Sequence, residues 1–252
     1  MEFAQLLFSP TGGTQKVAEA ITGVWDAEVE TVDLTDPALS PTDFQSEDLV
    51  LIAVPSFGGR VPSLAVQRLE KVRGGGASCV LVCVYGNRAY EDTLVELQDC
   101  AERCGFHVMA AVAAVAEHSI LHQFAAGRPD TQDIEALCGL SHRILEQYRQ
   151  GKRELTAPLP GNRPYKKTGG GGMVPKAGSD CVSCGLCAKQ CPAQAIPAED
   201  PRKTDGGACI SCMRCVVRCP QGARKVNGAM LAAAGVALKK ACFVHKECEL
   251  FL

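Results

Sequence analysis

The chain has 252 residues, of which 46% are hydrophobic, and its formal net charge is −2. This length accommodates one large hydrophobic core and a smaller module, and the mixed composition excludes a disordered chain. The longest apolar stretches, residues 108–116 and 229–238, are much shorter than the roughly 20 residues of a transmembrane helix. We therefore expect neither a membrane span nor a membrane partner.

The N-terminal sequence MEFAQLLFSP lacks the basic start and the small-residue cleavage site that are typical of a secretory signal. The fifteen cysteines are therefore expected in a reducing compartment, where thiols stay reduced or bind metal. These two observations predict a cytoplasmic protein.

The first part of the chain, residues 1–150, alternates short apolar runs with amphipathic helical patterns, which predicts a parallel sheet covered by helices on both faces. The predicted strands are residues 3–8, 28–32, 49–53, 79–84 and 107–115. The predicted helices are residues 14–24, 64–71, 93–104 and 131–150. Connections with this rhythm give a doubly wound α/β fold, whose ligands bind beyond the carboxyl ends of the strands, where the strand order reverses.

The loop after the first predicted strand has the composition of an anion site. It reads Ser9, Pro10, Thr11, Gly12, Gly13 and Thr14 and leads directly into a helix. Hydroxyls and main-chain N–H groups at a helix N-terminus bind phosphate, and glycines let it approach closely. The spacing matches neither GxGxxG nor a Walker A loop, so a dinucleotide or ATP is not the first expectation. The alternative is that the hydroxyls only cap the helix.

This loop resembles the FMN-phosphate loop of the flavodoxins, which has hydroxyl residues at its first, third and sixth positions and glycine at its fourth. Ser9, Thr11, Thr14 and Gly12 match that pattern. The resemblance implies FMN as the cofactor and a flavodoxin-like five-stranded sheet in the order 2-1-3-4-5. It also implies that the loops after the third and fourth strands hold the flavin ring. Those loops contain Pro55, Ser56, Phe57, Gly58, Gly59 and Arg60, and then Tyr85, Gly86, Asn87, Arg88 and Tyr90.

The ring-facing loops depart from the flavodoxin pattern in one respect. Arg60 and Arg88 stand where many flavodoxins are acidic. A nearby cation favours an anionic reduced flavin, so these arginines are predicted to raise the flavin potential or to bind an anionic substrate. The alternative is that both are solvated loop residues.

Eight cysteines form two copies of the motif C-x2-C-x2-C-x3-C-P, with a period of 28 residues. Three cysteines at this spacing wrap one face of a cuboidal 4Fe-4S cluster, while the fourth, followed by proline, binds the other cluster. The predicted ligand sets are Cys181, Cys184, Cys187 and Cys219, and Cys209, Cys212, Cys215 and Cys191. Zinc is the alternative, but four-ligand zinc sites do not need such a repeat. Residues 179–226 resemble the bacterial-type two-cluster ferredoxins, which implies a small α+β module and a low-potential electron carrier.

Charge is distributed unevenly between the two halves of the chain. Residues 1–150 contain 10 Lys and Arg against 21 Asp and Glu, a net −11, whereas residues 151–252 contain 16 against 7, a net +9. A basic half often indicates a nucleic-acid partner. Two oxidised clusters with their thiolates would add about −2 each, so we expect no nucleic-acid partner.

The remaining segments are predicted to be structural. The glycine-rich residues 151–178 indicate a flexible linker, and residues 227–252 are predicted to form one amphipathic C-terminal helix. The other seven cysteines are predicted to pack as small hydrophobic residues. His118 and His122 follow the fifth strand, and a role in proton transfer is left open against a packing or surface role.

The whole chain thus resembles a flavodoxin–ferredoxin fusion of the kind met in anaerobic bacteria and archaea. The resemblance implies electron transfer between two 4Fe-4S clusters and FMN, with redox proteins as partners. The alternatives are a flavin-dependent reductase of a small organic acceptor, fed through the clusters, and a redox sensor. Opposite charges predict that the second half docks on the first, within one chain or in a head-to-tail homodimer.

Overall fold

The computed structural model describes residues 3–167 and 172–252. These residues form ten strands and seven helices. The strands are β1 (Phe3–Leu7), β2 (Val29–Asp33), β3 (Thr42–Asp43), β4 (Leu49–Pro55), β5 (Val72–Arg73), β6 (Ser78–Tyr85), β7 (His107–Val115), β8 (Lys176–Ala177), β9 (Arg224–Lys225) and β10 (Glu249–Phe251). The helices are α1 (Gly13–Thr22), α2 (Ser63–Leu69), α3 (Thr93–Arg103), α4 (Thr131–Arg149), α5 (Leu186–Lys189), α6 (Arg214–Val217) and α7 (Gly228–Cys242). None of the helices in these two ranges has the length and apolar character required to cross a membrane.

The central sheet has six strands in the order β10-β7-β6-β4-β1-β2. Strands β1, β2, β4, β6 and β7 are parallel. If these five are counted 1 to 5 along the chain, their order across the sheet is 2-1-3-4-5, so the predicted doubly wound α/β fold is confirmed. Strands β4 and β6 are apolar almost throughout because helices cover both of their faces. One buried core lies under α1 and α4, and the other lies under α2 and α3. This topology brings the ends of β1, β4, β6 and β7 to one edge of the sheet.

The C-terminal tail differs from the single helix predicted over residues 227–252. Helix α7 ends at Cys242, and the chain then returns to the sheet as the antiparallel edge strand β10. Glu249 pairs with Ala113 and Phe251 with Ala111. An edge strand offers unpaired main-chain groups, and β10 satisfies those of β7. Three residues are too few to show the alternation of a strand, so the pattern could not reveal it.

The predicted linker, residues 151–178, is attached to the sheet domain over its first part. Asp92 accepts hydrogen bonds from the main-chain N–H groups of Asn162, at 2.8 Å, and Lys166, at 2.7 Å. Arg163 forms an ion pair with Asp99, at 2.6 Å. The prediction of flexibility is therefore wrong for this part, because acidic residues at the start and on the surface of α3 bind it. Residues 168–171 lie outside the described residues.

The second module is small and repeats itself. Helices α5 and α6 stand 28 residues apart, as the cysteine motifs do, and β8 pairs with β9 in an antiparallel ribbon. The buried side chain of Arg224 joins its loops, donating to the hydroxyl of Thr204 at 2.6 Å and to the carbonyl oxygen of Lys203 at 3.1 Å. Since β8 begins at Lys176, the module includes residues that were assigned to the linker.

Candidate functional site

A cavity opens at the carboxyl edge of the sheet, where the doubly wound topology places a ligand. Four loops line it, and these follow β1, β4, β6 and β7. Eight of the predicted cofactor residues lie on its wall, namely Thr11, Gly13, Thr14, Pro55, Ser56, Phe57, Tyr85 and Gly86. The structure therefore brings residues from all three predicted loops together.

The N-terminus of α1 lies at one end of this cavity. Its first turn contains no acidic residue, and the residue before the helix, Gly12, offers no side-chain cap. Gly12 has φ +96°, and a Cβ built on it would meet no atom within 4 Å, so the loop leaves open space there. Exposed main-chain N–H groups and the positive end of the helix dipole favour a phosphate. These residues therefore fit the phosphate of FMN.

Ser9 has a different place from the one predicted for it. Its hydroxyl oxygen accepts a hydrogen bond from the main-chain N–H of Gln15, at 3.0 Å, and Ser9 does not line the cavity. The capping role that was left open for this loop thus holds for Ser9. Thr11 and Thr14 do line the cavity.

The loops after β4 and β6 present small and aromatic groups to the cavity. Ser56 is fixed by a 2.7 Å hydrogen bond between its hydroxyl and that of Thr93. Phe57 begins a tight turn that is closed by hydrogen bonds with Arg60. Phe57 and Tyr85 therefore remain as aromatic contacts for a flavin, whereas Tyr90 packs edge-on against Tyr85 outside the cavity.

Both arginines predicted to face the flavin ring lie away from the cavity. The guanidinium of Arg60 makes two hydrogen bonds with the Glu96 carboxylate, at 2.6 and 2.7 Å, and stacks on the ring of Tyr165. The hydrogen bond to Glu96 raises the pKa of Arg60 further. Arg88 pairs with Glu91 at 3.0 Å. Arg60 is thus neither a ring contact nor a solvated loop residue, because a carboxylate 36 positions away neutralises it.

The other predicted residues outside the cavity hold neighbouring segments. Asn87 donates hydrogen bonds to the carbonyl oxygens of Cys242 and Val244, at 2.8 and 3.0 Å. Tyr90 donates to the carboxylate of Glu249 in β10. Gly58 and Gly59 form the turn beside Phe57 and do not line the cavity. Asn87 and Tyr90 thus hold the C-terminal tail in place and do not line the cavity.

The loop after β7 is the part of the site that the predicted cofactor residues do not include, although a role in proton transfer was left open for His118. It contributes Ala116, Glu117, His118 and Ser119 to the cavity. The Nδ1 atom of His118 accepts the main-chain N–H groups of Ile120 and Leu121, both at 3.2 Å. Burial lowers the pKa of His118, and these bonds assign its hydrogen to Nε2. The position of this loop after a parallel strand was the available signal, since such loops share one edge.

The eight predicted cluster ligands surround two further cavities. Cys181, Cys184, Cys187 and Cys219 line one, and Cys191, Cys209, Cys212 and Cys215 line the other. The structure therefore brings each predicted set together, including the crossed fourth cysteine. No three His, Cys, Asp or Glu side chains meet as a single-ion site within the described residues. Thiols spread around a cavity suit a cuboidal cluster, which takes one thiolate per iron.

The two cysteine motifs share unusual main-chain geometry. Ser183 and Ser211, which stand 28 residues apart, have φ of 55° and 54°. The last cysteine of each motif also has the same hydrogen bond. The main-chain N–H of Ala195 donates to the sulfur of Cys191, and that of Ala223 donates to the sulfur of Cys219, both at 3.3 Å. Such turns and N–H···S bonds direct positive dipoles at the sulfur atoms. The residues present therefore fit two similar anionic clusters.

The second module contacts the sheet domain through arginine side chains. Arg68 of α2 donates to the carbonyl oxygen of Pro192 at 2.5 Å, and Arg214 donates to the hydroxyl of Thr35. Asp33 and Asp36 partly oppose the lowering of the Arg68 pKa by burial, so acidic groups lie near this contact. One residue of the second module, Cys212, reaches the wall of the cavity at the sheet edge.

Residues 180–224 match the protein family described as 4Fe-4S dicluster domain, which confirms the ferredoxin-type module. No curated protein sequence matches the chain. The match to the family covers only the second module, so the sheet domain is identified by its own topology.

Solved flavodoxin structures show weak similarity over the first part of the chain. The two-electron reduced flavodoxin of Megasphaera elsdenii is 16% identical, covers 56% of this chain and 98% of its own, and has a TM-score of 0.35. The flavodoxin of Streptococcus pneumonia TIGR4 is 15% identical, covers 57% and 99%, and has a TM-score of 0.41. An FMN-dependent NADH-azoreductase from Bacillus anthracis, in complex with FMN, is 9% identical to this chain. The match covers 60% of this chain and 99% of the azoreductase, with a TM-score of 0.37.

Proposed function

We propose that this chain is an electron-transfer flavoprotein that moves electrons between two 4Fe-4S clusters and one FMN as a low-potential carrier. The observation that carries the proposal is the shared wall of the sheet-edge cavity. Thr11 and Phe57 of the flavodoxin-like loops and Cys212 of a cluster set line the same cavity. Two cofactor sites that share a wall are placed for direct exchange of electrons.

The residues of the chain have distinct tasks in this proposal. The N-terminus of α1, with Thr11 and Thr14, holds the phosphate, and Phe57 and Tyr85 contact the ring. The two cysteine sets hold the clusters, which supply single-electron transfer, while FMN accepts one or two electrons. Covalent fusion keeps the two modules at a high effective concentration, so exchange needs no diffusional encounter.

The proposal also covers partners and location. Redox proteins are the proposed external partners, and the cytoplasm, where thiols stay reduced, is the proposed location. The contacts of Arg68 and Arg214 join the modules within one chain. Electron transfer therefore does not require the head-to-tail homodimer that opposite charges also allowed.

Anaerobic reconstitution followed by chemical counting tests the proposal. We expect about eight iron atoms, about eight sulfides and about one FMN per chain. A Cys138→Ser variant is the matched control, because Cys138 lies in α4, outside both cysteine sets. This variant should contain as much iron, sulfide and FMN as the parent chain. Zinc without sulfide, or the absence of bound flavin, would contradict the proposal.

One observation favours a second candidate, a flavin-dependent reductase of a small organic acceptor. Reduction by two electrons requires protons, and His118 lines the cavity with its hydrogen assigned to Nε2. Specific turnover of a small acceptor that falls in a His118→Ala variant with normal FMN content would favour the reductase. Reaction with protein carriers alone would favour the carrier.

A further inference from the structure

The two cysteine sets have different surroundings. In the set of Cys181, Cys184, Cys187 and Cys219, Cys184 is exposed. Val182, which directly follows Cys181 of this set, is 64% exposed. In the set of Cys191, Cys209, Cys212 and Cys215 all four cysteines are half-buried, and the neighbouring residues Ser211 and Met213 are buried. We call the first set the outer set and the second the inner set.

The contacts between the modules act on the inner set. Pro192, which accepts from Arg68, directly follows Cys191, and Arg214, which donates to Thr35, directly precedes Cys215. Among the described residues, no hydrogen bond joins a neighbour of an outer-set cysteine to the sheet domain. The sheet domain therefore fixes the inner set in place and leaves the outer set facing solvent.

Cys212 completes this asymmetry. It is the only one of the eight ligand cysteines, all of them within the described residues, on the wall of the sheet-edge cavity, where it joins Thr11, Phe57 and His118. It also lines the cavity of the inner set. A single side chain thus borders both the proposed cluster site and the proposed flavin site.

We propose that the inner set holds the flavin-side cluster and that the outer set holds the cluster that exchanges electrons with partner proteins. This inference rests on the proposed function and adds the order of its centres. One electron leaves a reduced donor protein for the outer cluster, passes to the inner cluster and then to FMN, and the donor is oxidised by one electron. Two such transfers, with protons from water, complete the reduction of FMN.

A crystal of the reconstituted full-length protein tests this order without any substitution. Anomalous scattering from iron locates both clusters, and we expect the iron atoms bound by Cys212 and its set to lie nearest the flavin. If the outer set lies nearer the flavin, or both lie equally near, the order is overturned while the proposed function stands. A protein that binds no clusters or no FMN would instead contradict the proposed function.

A pair of matched variants tests the order in solution. Arg214 and Arg143 are the same residue type, but Arg214 contacts the sheet domain beside the inner set, whereas Arg143 is an exposed residue of α4 that flanks neither set. The assay mixes each variant with a saturating, reduced two-cluster ferredoxin as donor and follows the visible absorbance of the flavin. Arg214→Ala should slow flavin reduction several-fold, because it removes a hydrogen bond that holds the inner set against the sheet domain. Arg143→Ala should leave the rate unchanged.

Both variants must retain the iron and FMN content of the parent chain. A slower rate then reflects displacement of the inner set and not a failure of the chain to fold or to bind its cofactors. A larger effect of Arg143→Ala than of Arg214→Ala would overturn the order. Equal rates in all three proteins would overturn it too, since they would show that docking of the inner set does not affect the transfer.

Discussion

Arg68 of the sheet domain and Pro192 of the second module are joined by a hydrogen bond of 2.5 Å between guanidinium and main-chain carbonyl. The same guanidinium donates to the carbonyl oxygen of Leu34, at 2.7 Å. Arg68 is only 6% exposed, and burial lowers its pKa. A buried cation whose described acceptors are main-chain carbonyls of both modules acts as a link between them.

Replacing Arg68 should therefore loosen the junction. Arg68→Ala removes hydrogen bonds to two carbonyl oxygens in a buried position, which costs about 1.5–3 kcal/mol for a charged donor. We expect a lower free energy of unfolding in urea and faster proteolysis between the modules. Arg73→Ala is the control, because its side chain is 84% exposed. Equal unfolding midpoints in the two variants would show that Arg68 does not link the modules.

Gly86 is the second position at which a small change should have a large effect. A Cβ at this position would lie 2.8 Å from the Cβ, Cγ and Cδ2 atoms of His118. Gly86→Ala must displace His118 or its own loop, at a cost of about 1–3 kcal/mol. We expect FMN affinity to fall roughly tenfold or more, since 1.4 kcal/mol corresponds to a factor of ten. Quenching of flavin fluorescence during titration of the flavin-free protein measures this affinity.

Gly139→Ala is the matched control for Gly86→Ala. Gly139 lies inside α4, where an added Cβ would meet no atom within 4 Å. Alanine is more favourable than glycine in a helix by about 0.8–1.0 kcal/mol, so this variant should be slightly more stable and should bind FMN normally. If the two variants bind FMN equally well, His118 and Gly86 do not shape the flavin site.

Acid should release the segment of residues 162–166 from the sheet domain. Hydrogen bonds from the main-chain N–H groups of Lys166 and Asn162 lower the pKa of Asp92 below its usual value of 3.8. A carboxyl group whose pKa is lower in the folded than in the unfolded protein stabilises the attachment fully at any pH above its unfolded-state pKa. This stabilisation is lost as the pH falls through the folded-state pKa. Attachment should thus be constant near neutral pH and fail only under strongly acidic conditions.

An Asp92→Asn variant should reproduce this release at neutral pH. We expect faster amide hydrogen exchange at residues 162–166, with a loss of about 1–3 kcal/mol of local stability. Asp43→Asn, whose carboxylate is 60% exposed, is the control. Unchanged exchange in Asp92→Asn would mean that the other contacts of the segment, such as that of Arg163 with Asp99, suffice to hold it.

The sequence predicted those features that depend on neighbouring residues or on a fixed repeat. Apolar runs such as 49–53 predicted the strands, and the 28-residue repeat predicted the crossed cysteine sets. Contacts between distant residues were not predictable, because no local pattern records them. The pairing of Arg60 with Glu96 and the place of Cys212 beside Thr11 depend on how helices and modules pack. The interpretation of Arg60 as a ring contact failed for this reason.

The crossed pairing of ligands predicts how single substitutions should act on the clusters. Cys191 is the last cysteine of the first motif, yet it lines the cavity of Cys209 and its set. Cys191→Ser should therefore perturb the inner cluster, and iron should fall from about eight to about four atoms per chain if that cluster is lost. Cys219→Ser should give the same iron content by loss of the outer cluster. Iron and sulfide analysis measures both contents.

Flavin reduction distinguishes these two variants from each other and from Cys248→Ser, a control outside both sets. Cys248 is half-buried, and burial raises the pKa of its thiol, as expected for a packing residue. With the reduced ferredoxin donor, Cys191→Ser should retain a cluster that is reduced while the flavin stays oxidised, because the flavin-side centre is missing. Cys219→Ser should keep the flavin-side centre and lose fast reduction by the donor. Loss of all iron in either variant would show that the two sites assemble as one unit. If Cys191→Ser behaved as expected for loss of the outer cluster and Cys219→Ser as expected for loss of the inner cluster, the crossed assignment would be contradicted.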